Sequence, residues 1–171
     1  MVEVARCEIR RFHAVLIECH ASAAALEALA VPAGVHALRV ASDELLWLAA
    51  PERADELLRR ATAHFAVLEP GALVVDQSDG WTIFALPGDE GLLALRQLAV
   101  FPLPERRPAF LQGAVAGGSA KLLLLPGVVH LLVPFPLRDH VERRLREVCA
   151  GAAVHFEAVE APFSAAVGSP P

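Results

Sequence analysis

Residues 73–104, LVVDQSDGWTIFALPGDEGLLALRQLAVFPLP, decide how the rest of the chain is read. Leu73, Val74 and Val75 are apolar and mostly β-branched. Asp76, Gln77, Ser78, Asp79 and Gly80 supply turn chemistry, and Trp81, Thr82, Ile83, Phe84, Ala85 and Leu86 form a second β-rich run. The spacing predicts a mid-chain hairpin of two short strands. Pro87, Gly88, Asp89 and Glu90 then put negative charge where a helix N-terminus favours it, and Leu92, Leu95 and Leu98 continue at near-helical spacing. The same kind of strand and helix material lies on both sides, so this stretch reads as the join between two related halves.

Working outward toward the N-terminus, residues 12–19 (FHAVLIEC) predict a strand buried on both faces. Ser22 is placed to cap a short helix carrying Leu26 and Leu29, which Pro32 and Gly34 stop. Residues 36–40 and 45–49 predict two strands around a polar turn. Pro51 then opens an amphipathic helix with Ala54, Leu57, Leu58, Ala61 and Phe65 on one stripe. Toward the C-terminus the order recurs: a strand at 81–86, a helix at 89–98, a loop, strands at 120–125 and 128–133, a helix at 137–149 and a closing strand at 154–159.

Each half therefore reads β-α-β-β-α-β, the ferredoxin-like unit, and the predicted class is α+β with mainly antiparallel sheets. The expected organisation is one compact domain over residues 1–161, built from pseudo-repeats at about 12–78 and 79–160, with 162–171 as a frayed tail.

The 171 residues carry a formal net charge of −5, which argues against a nucleic-acid partner. Hydrophobic residues make up 55% and mean hydropathy is +0.46, a surplus that some of the surface is expected to bury against a partner. The longest charge-free apolar run, residues 122–137, is broken by Pro126, Gly127, Pro134 and Pro136, so no membrane helix is expected. Arg6, Arg10 and Arg11 among Glu3 and Glu8 leave no room for a signal-peptide core, and the cytoplasm is the expected location. Cys7, Cys19 and Cys149 are odd in number and scattered, which fits reduced structural thiols.

The constellations that invite a catalytic reading each have a plainer explanation. Cys7, His13, Cys19 and His20 have ligand chemistry but no tight ligand spacing. Residues 113–121 (GAVAGGSAK) have phosphate-loop glycines, but Ser119 and Lys121 are in the wrong order for the motif and a strand follows instead of a helix. Asp76, Ser78 and Asp79 sit in a turn where such residues bond to their own backbone. His64, His130, His140 and His155 are dispersed, and Arg143, Arg144 and Arg146 form a charged helix face with Glu142 and Glu147. No catalytic, cofactor-binding or metal-binding residue is assigned. The candidate site is instead an interface: residues 100–111 carry three prolines, which predict a surface loop, and Phe101, Leu103, Arg106, Arg107 and Phe110 give it the aromatic and arginine content of a docking surface.

Several stretches resemble the gamma subunit family of heterotetrameric sarcosine oxidase, within the wider group of the glycine cleavage aminomethyltransferase and the YgfZ-like folate-binding proteins. They are Leu29-Ala30-Val31-Pro32, the run from Leu38 through Asp43-Glu44 to Pro51, Val74-Val75-Asp76-Gln77-Ser78, and Leu131-Leu132-Val133-Pro134 followed by Asp139-His140. Where the aminomethyltransferases carry paired aspartates, this chain has Leu124-Leu125-Pro126-Gly127-Val128. Where the YgfZ-like proteins carry Lys-Gly-Cys-Tyr, it has Gln112-Gly113-Ala114-Val115. The resemblance implies a non-catalytic accessory subunit that itself binds no cofactor. FAD, FMN, NAD, tetrahydrofolate and zinc are then expected in larger flavoprotein partner subunits that demethylate a small N-methyl amino acid. The alternative it leaves open is a stand-alone folate-binding protein.

Overall fold

The computed structural model describes residues 7–149 and 154–157. The predicted tail and the last two residues of the predicted closing strand lie outside the described residues. Of those described, 13–78 form one compact unit, and 7–12 with 79–149 and 154–157 form another. The chain is α+β, with two mainly antiparallel sheets.

The run read as a single strand at 12–19 is two strands, β1 (Ile9–Phe12) and β2 (Val15–His20), which belong to different sheets. The break falls at His13 and Ala14, with His13 exposed. Neither a glycine nor a proline marks it, so the sequence reads straight through. From β2 the smaller unit runs through α1 (Ala23–Glu27), β3 (His36–Ala41), β4 (Glu44–Ala49), α2 (Ala54–Leu68) and β5 (Leu73–Asp76). Its four strands pair antiparallel in the order β3-β4-β2-β5, the ferredoxin-like arrangement.

Local chemistry explains each element of this unit. Ser22 caps α1 through its Oγ, which accepts a hydrogen bond from the Ala25 N–H at 3.3 Å. The Glu69 carboxylate, just past α2, accepts from the Ser22 N–H at 3.0 Å and from its hydroxyl at 2.6 Å. A five-residue helix is too short to hold itself, and this double cap fixes where it starts. Pro51 opens a 3-10 turn that leads into α2, whose Leu57, Ala61 and Phe65 recur every four residues. They pack with Val15, Ile17, Cys19 and Trp47 in the core of the unit.

The expected mid-chain hairpin does not form, because β5 and β6 (Trp81–Pro87) lie in different sheets. The turn between them is tied to β2 instead. Asp76 Oδ1 accepts from the Ser78 N–H at 2.9 Å, the Leu16 N–H donates to Ser78 Oγ at 3.1 Å, and the Gln77 N–H donates to the Leu16 carbonyl at 2.8 Å. Those bonds stop the chain from doubling back, so the stretch is the crossover from one unit to the next.

The larger unit continues through α3 (Gly88–Leu98), β7 (Ala109–Val115), β8 (Gly118–Leu125), β9 (Val128–Pro134), α4 (Arg138–Val148) and β10 (Val154–Glu157). Its six strands lie in the order β10-β1-β6-β9-β8-β7. The first strand of the chain is thus inserted between β6 and β10, antiparallel to β6 and parallel to β10. Ile9, Phe84, Leu86, Leu122, Leu131 and Val133 pack with Leu95 of α3 and Leu145 of α4 in one core. The opposite face of the same sheet is buried too, at Phe12, Ile83, Leu123, His130 and Leu132. Burial on both faces is why β8 and β9 read as unbroken apolar runs.

Candidate functional site

The segment singled out as an interface is held from both ends. The loop reading is right as far as Pro108 and wrong beyond it, since Ala109, Phe110 and Leu111 begin β7, the edge strand of the larger sheet. Three prolines before Ala109 hid a strand whose partner, β8, lies after the small-residue turn at Ala116 and Gly117. That turn has positive φ at both residues, 53° and 82°, the signature of a tight two-residue hairpin. The glycine-rich stretch is therefore hairpin backbone. His140 of α4 steadies it through a 2.7 Å hydrogen bond between its Nε2 and the Ala116 carbonyl.

Phe101 and Leu103 are half-buried against the core of the larger unit. The Phe101 ring lies on the backbone of Gly113, so close that a Cβ there would meet it at 2.3 Å. Only glycine admits the ring at that point of β7. Arg106 is exposed and Arg107 half-buried, and Phe110 is half-buried at a register position opposite Leu123. Alternation along β7 puts Phe110 on the face opposite Leu111, which packs on the core. The structure thus packs Phe101 and Leu103 on the core, leaves Arg106 exposed and Arg107 half-buried, and sets Phe110 half-buried beside Leu123 on the other face of the sheet.

The other flagged side chains are placed as follows. Asp76 and Ser78 bond to each other and to β2, as described above. His20 and Glu18 share a 2.5 Å hydrogen bond on β2, and His64 meets the Ala25 carbonyl at 3.1 Å. His130 is fully buried with its ring edge-on to Phe12, centroids 5.5 Å apart. Among the described residues, no group of three or more His, Cys, Asp or Glu side chains is placed to hold a metal ion. Burial, and secondarily the neighbouring Glu18 carboxylate, push the Cys19 thiol up to about 12, so it is no nucleophile near neutral pH. Cys7 and Cys149, 142 positions apart, are both buried in the core of the larger unit, where the Cys7 Sγ donates to the Glu8 carbonyl at 3.3 Å. Sequence spacing gave no hint of that shared core, because the insertion of β1 creates it.

A recess of about 260 Å³ lies in the smaller unit between α2 and β5, lined by Thr62, Phe65, Ala66, Glu69, Ala72 and Val74 among others. It is below the size usual for a small-molecule site, and its one carboxylate, Glu69, is already engaged by Ser22. No described helix is long and apolar enough to cross a membrane.

No protein-family model and no curated protein sequence matches the chain. Solved structures do. A chain of the heterotetrameric sarcosine oxidase from Corynebacterium sp. U-96, in complex with pyrrole 2-carboxylate, superposes with a TM-score of 0.73 at 19% identity, covering 90% of this chain and 89% of that one. The glycine cleavage system aminomethyltransferase T from Bartonella henselae superposes with a TM-score of 0.63 at 14% identity; 88% of this chain is covered, but only 48% of that one. The regulatory subunit of aspartate kinase from Thermus thermophilus gives 0.52 at 9% identity, covering 85% and 98%. At these identities the likeness is one of fold, and the fold is the one shared by sarcosine oxidase and aminomethyltransferase chains.

Proposed function

We propose that this chain is a gamma-type accessory subunit of a hetero-oligomeric complex of the sarcosine oxidase type, which oxidatively demethylates a small N-methyl amino acid. The observation that carries the reading is the end-to-end correspondence with one chain of a heterotetramer: 90% of this chain against 89% of that one, so the two are of nearly equal length. The aminomethyltransferase is matched over less than half its length, which favours the small-subunit reading over a stand-alone folate protein. In this reading the chain holds no cofactor. Larger flavoprotein subunits carry FAD, FMN, NAD, tetrahydrofolate and zinc, and the assembly works in the cytoplasm.

Docking is assigned to Arg106, Arg107 and Phe110, while Phe101 and Leu103 anchor the segment on the core of the larger unit. Hot-spot side chains, which are enriched in aromatics and arginine, can each cost about 2 kcal/mol or more of binding when truncated. The test is co-expression of the tagged chain with the flavoprotein subunits of such a complex. The wild-type chain is expected to recover flavin-bearing partners, whereas an Arg107→Ala, Phe110→Ala double variant melts near the wild-type temperature and recovers little. Recovery unchanged by the variant moves the interface elsewhere. A monomer that recovers no flavoprotein and instead binds tetrahydrofolate by calorimetry decides for the folate-binding alternative.

A further inference from the structure

Resting on the accessory-subunit reading above, we propose that the docking surface at Phe110 continues along one face of the larger sheet to Lys121 and Trp81, and that it receives a carboxylate side chain of the partner subunit. Alternation along the strands puts Phe110 and Gln112 of β7, Lys121 of β8 and Trp81 of β6 on that face, because their neighbours Leu111, Leu122 and Phe84 pack on the core at the other. Gln112 stands opposite Lys121 in the register, one step along from Phe110 opposite Leu123. Trp81, Lys121 and Phe110 are half-buried and Gln112 is exposed, so this part of the face is reachable from solvent.

Lys121 is the only lysine among the 171 residues. Its Nζ donates to Gln112 Oε1 at 3.1 Å and lies 5.1 Å from the centre of the Trp81 ring, a cation–π distance. Both partners are uncharged, so the ammonium is held in place without being neutralised. On α4, by contrast, Arg138 pairs with Asp139, Arg144 pairs with Glu147, and Arg146 shares Glu142 with Arg11 of β1. A free lysine gives up side-chain entropy when it fixes an ion pair, whereas one already restrained by a ring and an amide has less to give up, so a carboxylate arriving here binds more tightly. The local charge favours the same ligand. Between Ala99 and Leu137 the chain carries Arg106, Arg107 and Lys121 against one acid, Glu105, although the net charge of the whole is −5. That positive excess steers a negative segment to this face and repels a basic one, while the rings of Trp81 and Phe110 supply the aromatic content of an interface core.

The tagged full-length chain is co-expressed with the flavoprotein subunits of a sarcosine oxidase-type complex, and the purified assembly is treated with a carbodiimide, which joins an amine to a carboxylate as an amide with loss of one water. Because Lys121 is the chain's one side-chain amine, peptide mapping of its cross-link names the carboxylate it faces. The expected product joins Lys121 to an Asp or Glu of a partner subunit. Lys121→Glu is expected to cut recovery of the flavoprotein at least about tenfold and Lys121→Met to cut it less, whereas Lys121→Arg keeps most of the recovery and loses the cross-link. The cross-link in the wild-type assembly carries the test even where a variant folds poorly. Flavoprotein recovered with Lys121 left unlinked, or linked only to a second copy or to an acid of its own chain such as Asp79, overturns the carboxylate partner and leaves the accessory-subunit reading in place. A wild-type chain that recovers no flavoprotein overturns both.

Discussion

The two units are built on one plan, yet only the smaller one completes it from contiguous sequence. In residues 13–78 the closing strand β5 pairs directly with the opening strand β2, antiparallel. In the larger unit the corresponding place beside β6 is taken by β1, contributed from the far end of the chain, and β10 is pushed one position outward. Because β1 runs antiparallel to β6, β10 keeps the direction the plan gives it and so becomes parallel to its new neighbour. A single inserted strand accounts for both the extra width at this edge and the lone parallel pairing among the described residues of the sheet. A fold of this kind tolerates an inserted strand if the strand's direction preserves those around it, but it then depends on that strand.

That dependence is the sharpest way to break the comparison. Deleting residues 1–12 removes Ile9, fully buried, and Phe12, 4% exposed, together with the hydrogen-bond partner of both β6 and β10. Burial of two such side chains is worth roughly 5 kcal/mol or more, a large part of the 5–15 kcal/mol typical of a whole domain. The expected outcome is loss of exchange protection in β6 and β9, while β2 and β4 keep theirs. Equal loss in both sets, or none in either, would show that the two units do not differ in this respect.

A second contrast lies where the first helix of each unit meets its sheet. In α1 a buried core position is taken by Ala25, while α3 has Gly91, where an added Cβ would stand 2.7 Å from the Leu86 carbonyl carbon and oxygen. In an exposed helix interior, Gly→Ala gains about 1 kcal/mol from propensity. Here the atoms in the way are backbone of β6 and cannot rotate aside, so an overpacking cost of about 1–3 kcal/mol applies against it. Gly91→Ala is therefore expected to lower stability by up to roughly 2 kcal/mol in a urea titration. A rise in the midpoint would mean that α3 sits farther from its sheet than described.

What could be read from the sequence divides along the same line. The smaller unit was legible nearly residue by residue, since Ser22, Pro51 and the Leu57, Ala61 and Phe65 stripe are local signals for local structure. The larger unit was legible as a class and an order of elements, but its strand partners were not. Nothing near Ile9 says that it pairs with a strand starting at Val154, and nothing between Phe12 and Val15 marks a change of sheet. The mid-chain turn misled for the same reason, because its residues are good turn formers whether the next strand folds back or crosses over. Of the proposed docking set, the sequence identified the residue types, but only the register of β7 and the fit of Phe101 on Gly113 show on which face each apolar member lies.

The smallest expected effect concerns how each unit starts its first helix. In the larger unit α3 runs eleven residues, has no side-chain cap, and carries Asp89 and Glu90 in its first turn. In the smaller unit α1 has five residues and no acid of its own in the first turn, and it borrows the Glu69 carboxylate from beyond α2. The hydroxyl of Ser22, and then its backbone N–H, hold the Glu69 carboxyl below its ordinary value of 4.5. A carboxyl depressed in the folded state contributes stability that is fully present above that ordinary value and is lost as pH falls through the lower, folded one. Glu69→Gln is thus expected to melt slightly below wild type near neutral pH, with the gap closing as the solution is acidified past the carboxylate range. Glutamine can still accept from Ser22 but carries no charge, so the pH dependence of the gap isolates the ionised form. A gap that stays constant down to acid pH would assign the cap to hydrogen-bond geometry alone, and no gap at any pH would mean that Ser22 starts α1 unaided.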